Sequence, residues 1–209
     1  MKNILIHGLG QNENSWEKVN YELKNKSIEA DTPNLYSMLD NIKMDYATLF
    51  NEFSDYCNGF EGKLNLCGLS LGGILAIDYA KKFPDKVNSI ILVGTPYEIP
   101  KFLFRVQSII FRFMPKATFE KIGCPKKNFI SFVKSMGNLD IATNLDRIQC
   151  KSLILCGVKD NQNMDSAKKL NEKIKGSLFR TVPNSSHEVN IDNPKELSNL
   201  IYDFWNDVL

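Results

Sequence analysis

A doubly wound α/β fold is predicted for this chain: a mainly parallel sheet of about six strands, covered by helices on both faces. Three observations predict it. Strand-like apolar runs alternate with helix-like runs along most of the sequence. The strand-like runs are close to continuously apolar, as strands buried on both faces are. One of them, Leu64 to Cys67, passes through Gly68-Leu69-Ser70-Leu71-Gly72-Gly73 into a helical stretch, so the hexapeptide is a sharp turn between strand and helix.

The elements follow in order. The apolar run at 3–7 is the first strand. It lacks the length and the small-residue cleavage site of a signal peptide. A helix at 15–24 leads to a weak strand at 28–32, and a second helix is expected at 45–57. Strand 64–67, the serine turn and helix 71–83 come next, followed by strand 87–93. Strand 152–156, helix 165–175, strand 177–182 and helix 194–208 complete the pattern. Pro194 falls in the first turn of the last helix, after Asp192 or Asn193, a sound helix start.

The stretch from Pro96 to Gln149 breaks the alternation. It has helical pieces, no convincing strand and too much length for a simple connection, so a helical cap is expected at about 97–149, inserted in a single domain of 1–209. Eight basic residues lie between Pro100 and Lys134, against one acidic residue, Glu120. Lys101, Arg105, Ser108 and Arg112 would form one polar stripe on a helix otherwise made of residues such as Phe102, Val106, Ile109 and Phe113. The stripe reads as a solvated face, or as a lid whose apolar side roofs a pocket and whose basic side meets an anionic group.

Composition narrows the function. Hydrophobic residues at 43% and charged residues at 24% describe an ordinary globular chain with a sizeable core. No run approaches the roughly 18 apolar residues of a membrane span. A formal charge of +2 gives no general affinity for nucleic acid. The five cysteines are odd in number and lack a Cys-x-x-Cys pair, so no metal site or disulfide scaffold is expected, and a reduced, cytoplasmic setting is.

Ser70 on a strained turn is a candidate nucleophile, with glycines at −2 and +2 where strand and helix nearly touch. The pentapeptide alone would arise by chance in roughly one such chain in fifteen, so further residues must support it. A serine hydroxyl needs a base. Only two histidines exist: His187, in the loop after the last strand, is the candidate base, and His7, ending the first strand, reads as structural. The base needs an orienting carboxylate. Asp160, after strand 152–156, is preferred over Asp165, which suits a helix start, and over Glu188 and Asp192, which follow the histidine too closely. An oxyanion needs two convergent N–H groups. Leu71 would supply one from the helix N-terminus, and Leu9, with Gly10 as the alternative, the other. Trp16, Tyr97 and Val189 are candidate pocket residues, for which core packing is at least as good a reading.

These motifs, spread from His7 to His187, resemble the α/β-hydrolase superfamily. Ser70, Asp160 and His187 occur in that family's order, and His7-Gly8-Leu9 is similar to its oxyanion loop. The chain departs from the family in starting at what resembles its third strand, without the first strands. The resemblance implies a serine esterase or lipase acting on a small-molecule ester, with no cofactor and no metal. It disfavours the aspartate-nucleophile dehalogenases and epoxide hydrolases of the same fold. Thioesterases, carbon–carbon bond hydrolases, perhydrolases and lyases use similar triads, and a ligand-binding protein without catalysis is a third class. Arg105 and Arg112 would suit an acyl-CoA.

Overall fold

The computed structural model describes residues 1–40, 42–98, 111 and 113–209. Its sheet is all parallel, with five strands in chain order: β1 (Lys2–Ile6), β2 (Leu64–Leu69), β3 (Val87–Val93), β4 (Lys151–Gly157) and β5 (Leu178–Val182). Parallel neighbours require crossovers. Helices α1 (Glu17–Lys24) and α2 (Tyr46–Asn58) lie between β1 and β2, and α3 (Leu71–Lys82) between β2 and β3. Helices α4 (Lys116–Lys121) and α5 (Lys126–Ser135) lie between β3 and β4, and α6 (Met164–Lys173) between β4 and β5. The short α7 (Val189–Asp192) and α8 (Pro194–Trp205) end the chain. Asn193 caps α8 by accepting the Glu196 N–H at 3.3 Å, with Pro194 at its first position.

The sixth strand expected at 28–32 is reduced to a single parallel bridge, Asp31 beside Ile4. Asp31 N–H donates to Asn3 O at 2.9 Å, and Asp31 O accepts the Leu5 N–H at 2.8 Å. The next same-side donor, two residues on, would be Pro33, which has no N–H. The ladder stops there.

Alternation within the strands covers both faces of the sheet. Ile4, Ile6, Leu64, Leu66, Ile90, Leu92, Ile154 and Cys156 pack with α2, α3 and α6. Leu5, Cys67, Leu69, Ile91, Val93, Leu153, Leu155 and Val182 pack with Val19 and Leu23 of α1 and Leu197, Ile201 and Phe204 of α8. Side chains alternate across a strand, so each near-continuous apolar run feeds two cores at once.

After β1 the chain leaves on one side, through α1 to the Asp31 bridge, and returns on the other as β2. The direction of winding reverses at β1. In open parallel sheets a ligand crevice forms beyond the carboxyl ends of the strands at such a point. The loops there are residues 7–11 and the serine turn.

Among the described residues, the stretch between β3 and β4 holds helices and no strand. Phe119, Phe129, Phe132 and Val133 pack into the same core as Leu35, Tyr36 and Leu39. Of the stripe expected on this stretch, Lys101, Arg105, Ser108 and Arg112 lie outside the described residues. No described helix is long and apolar enough to cross a membrane.

Candidate active site

Ser70 sits between β2 and α3 with φ 52° and ψ −107°, in the region L-residues avoid. Its N–H donates to Val93 O at 2.9 Å, and its C=O accepts the Ile74 N–H at 3.1 Å, so β3 and α3 together hold the strain. The turn is this sharp because the backbones nearly touch. A Cβ on Gly68 would lie 2.2 Å from the carbonyl carbon and oxygen of Gly72. Ser70 is half-buried, and its hydroxyl makes no hydrogen bond to a described residue.

The loops after β4 and β5 run together. Val158 N–H donates to Val182 O at 3.0 Å and Lys159 N–H to Ser185 O at 2.8 Å. This brings Asp160, 5% exposed, against His187. Asp160 Oδ2 accepts the His187 Nδ1–H at 2.9 Å. A carboxylate only accepts, so the proton of this bond is on Nδ1, and Nε2 is the basic nitrogen of the ring's neutral form. Burial pushes the Asp160 carboxyl up, but the hydrogen bonds from His187 and Asn163 outweigh it and hold the carboxyl below its usual value.

Two residues of this cluster had no signal in the sequence. Asn163 Nδ2 donates to both Asp160 oxygens, at 3.0 Å each. The same nitrogen lies 3.2 Å from His187 Nδ1, which already carries a proton, so that approach is a contact and not a hydrogen bond. Gly94, with φ +54°, faces the pair: a Cβ there would be 3.1 Å from Nδ1 and 3.4 Å from Asp160 Oδ2. Ser70 and His187 thus flank the same piece of backbone, Val93–Gly94.

The competing carboxylates are occupied elsewhere. Asp192 Oδ2 accepts from the Ser186 N–H at 2.7 Å and its hydroxyl at 2.5 Å, which holds that carboxyl low. Glu188 Oε1 accepts from Gln11 Nε2 at 3.0 Å. Asp165 is exposed in the first turn of α6.

In the loop after β1, the N–H groups can be accounted for one by one. Gly8 N–H points to Gln11 Oε1 at 3.4 Å, Gly10 N–H to the Tyr36 hydroxyl at 2.9 Å, and Gln11 N–H to Gly8 O at 3.2 Å. The Leu9 N–H has no acceptor among the described residues, and neither does the Leu71 N–H. Of the two candidate donors, the Gly10 N–H is thus taken by Tyr36 and the Leu9 N–H is not.

His7 is fully buried, with Nδ1 3.0 Å from Gly8 O and Nε2 accepting the Leu35 N–H at 3.0 Å. Burial lowers it to about 4 from 6.5. Folded protein keeps His7 neutral in that interval, while the unfolded chain binds the proton. The unfolded state then holds more protons, so stability falls as pH drops through the window. The loss between pH 6.5 and 4 is on the order of 3 kcal/mol. Urea unfolding of wild type and His7→Gln across this range checks it, with a shallower slope expected in the variant.

The candidate pocket residues divide. Trp16 and Val189 have no exposed surface and pack with Leu5 and Val19 in the core beneath α1 and α8. For these two the structure corrects the pocket assignment to core packing, the default for large apolar side chains. Tyr97 is half-buried, with Lys169 Nζ 5.4 Å from its ring centroid.

Comparison with known proteins gives the fold a context. No family model matches the chain. The α/β hydrolase domain-containing protein VTE7 of Arabidopsis thaliana is 26% identical over 174 residues, 66% of this chain and 52% of that protein. An uncharacterized protein of Mycobacterium bovis is 31% identical over 101 residues, 44% of this chain and 28% of that one. The chain thus spans about half the length of the first of these relatives and under a third of the second. Among solved structures, a malate-bound thermophilic esterase from Thermogutta terrifontis superimposes with a TM-score of 0.81 at 21% identity, covering 100% of this chain and 90% of that one. MenH from S. aureus gives 0.80 at 15% identity, covering 99% and 94%. An esterase from Exiguobacterium antarcticum gives 0.80 at 17%, covering 99% and 92%.

Proposed function

This chain has the α/β-hydrolase fold, and we propose that it is a serine hydrolase that cleaves a carboxylic ester through an acyl-enzyme. The reading is supported by a strained Ser70 bonded to Val93 O and by a His187 that lies against the next residue, Gly94, with its Nδ1 committed to a buried carboxylate. The esterases among the structural neighbours support it.

In this mechanism Ser70 Oγ attacks the ester carbonyl as its proton passes to His187 Nε2. Asp160 stabilises the imidazolium and keeps its tautomer. The carbonyl π-electrons move to oxygen, which takes hydrogen bonds from the Leu9 and Leu71 N–H groups. Leu71 opens α3, whose dipole favours the negative charge. The C–O bond to the alcohol then breaks and the alcohol leaves with the His187 proton. Water, deprotonated by His187, attacks the acyl carbon and releases the acid and Ser70. We assign residues 97–149 as a cap over this site and Tyr97 to its rim, accepting a small or medium hydrophobic acyl group, in a protein of the cytoplasm.

The test is a fluorophosphonate probe with mapping of the adduct, alongside hydrolysis of p-nitrophenyl acetate, an acyl-CoA and a diketone. A single adduct on Ser70 and turnover of the ester are expected. Rapid turnover of the acyl-CoA or diketone with no ester turnover moves the chemistry to a thioesterase or carbon–carbon bond hydrolase. Absence of any adduct marks a binding protein.

A further inference from the structure

We infer that Tyr36 is a positioning residue for the oxyanion site, a role that rests on the serine-hydrolase reading. Its hydroxyl accepts the Gly10 N–H at 2.9 Å, and Gly10 stands at φ +81° immediately after Leu9. On the other side of Leu9, the Gly8 N–H is aimed at Gln11 Oε1. The two contacts bracket Leu9, whose own N–H has no acceptor among the described residues. Without the hydroxyl, the Gly10 N–H is released beside the Leu9 N–H, and the peptide between them is free to rotate.

Tyr36 is itself held firmly. It is 1% exposed, with its ring 5.5 Å from the His7 ring and 6.2 Å from that of Phe129 on α5. His7 ties this cluster to the loop through Gly8 O and to residue 35 through its Nε2. Phe129 continues into Phe111 and Phe119, with centroids 5.1 and 5.2 Å away. One side chain thus joins the stretch between β3 and β4 to the loop that carries the donor. A group that acts only by aiming a transition-state donor should change kcat and leave ground-state binding alone.

Tyr36→Phe keeps the ring and deletes the hydroxyl. Gly10 is exposed, so water can take its N–H and the variant folds. Two readings are made. Amide hydrogen exchange of the loop needs no substrate, and faster exchange at both Leu9 and Gly10 is expected. With p-nitrophenyl acetate, kcat should fall about tenfold with KM within twofold, and affinity for a trifluoromethyl ketone should fall by the same factor as kcat. Tyr56→Phe, which removes a hydroxyl 3.4 Å from Asp31, is the control and should change neither reading. Unchanged exchange at Leu9 and Gly10 overturns the inference, as does unaltered kcat in an active protein. If wild type shows neither turnover nor a Ser70 adduct, the hydrolase reading fails, and the exchange data still decide whether Tyr36 orders the loop.

Discussion

Ser70→Ala is expected to lower kcat/KM for an ester by about 10⁴- to 10⁶-fold and to abolish fluorophosphonate labelling. At about 1.4 kcal/mol per factor of ten, this is a loss on the order of 5–8 kcal/mol of transition-state stabilisation. The size follows from what remains. Without Oγ no acyl-enzyme forms, and His187 is left to activate water that the site does not position. The Leu9 and Leu71 donors survive, so a residual rate over water should persist. Stability should change little, because Ala inherits the same φ of 52° and the same hydrogen bonds from Ser70 N–H to Val93 O and from Ile74 N–H to Ser70 O. KM, or binding of an uncharged ester analogue, should stay within a few-fold. A variant that retains more than a tenth of wild-type kcat/KM would place the nucleophile elsewhere and remove the basis for the proposed chemistry.

Much of this arrangement is legible in the sequence, and the parts that are not have a common physical reason. Period-two alternation reports burial, so strands packed on both faces stand out as apolar runs, and all five are bounded to within two residues. The weak run at 28–32 has the same local character, yet pairs only through Asp31, since the proline at 33 withholds the next donor. Ser70, Asp160 and His187 are visible because each follows a strand that the pattern reveals. Asn163 and Gly94 are silent because their roles arise from loops meeting in space: Asn163 bonds Asp160 three residues upstream and stands beside His187, and Gly94 matters only because an imidazole rests on it. Trp16 illustrates the opposite case. Nearness to the oxyanion loop in sequence offered a pocket wall beside core packing as a reading, and the first turn after the loop puts the ring in the core.

Gly68→Ala should cost about 4 kcal/mol or more of folding stability, at the upper end of single substitutions. A Cβ would stand 2.2 Å from Gly72 C and O and 2.4 Å from Gly73 N, all backbone atoms that no rotamer change can move. Neither side can retreat cheaply. Gly68 pairs with Ile6 on one side and Leu92 on the other, so β2 is fixed by both neighbours. Helix α3 buries Ile74, Leu75, Ile77 and Tyr79, and lifting it would open that interface along its length. Against a typical total of about 5–15 kcal/mol, that removes from about a quarter to most of the stability. Gly137→Ala is the comparison, because nothing lies within 4 Å of its Cβ and its φ is not positive. That variant should match wild type or gain up to about 1 kcal/mol by restricting the unfolded chain. Urea midpoints of the three proteins measure the difference. If Gly68→Ala unfolds at the wild-type midpoint, β2 and α3 are further apart than this, and the sharpness of the turn that exposes Ser70 loses its cause.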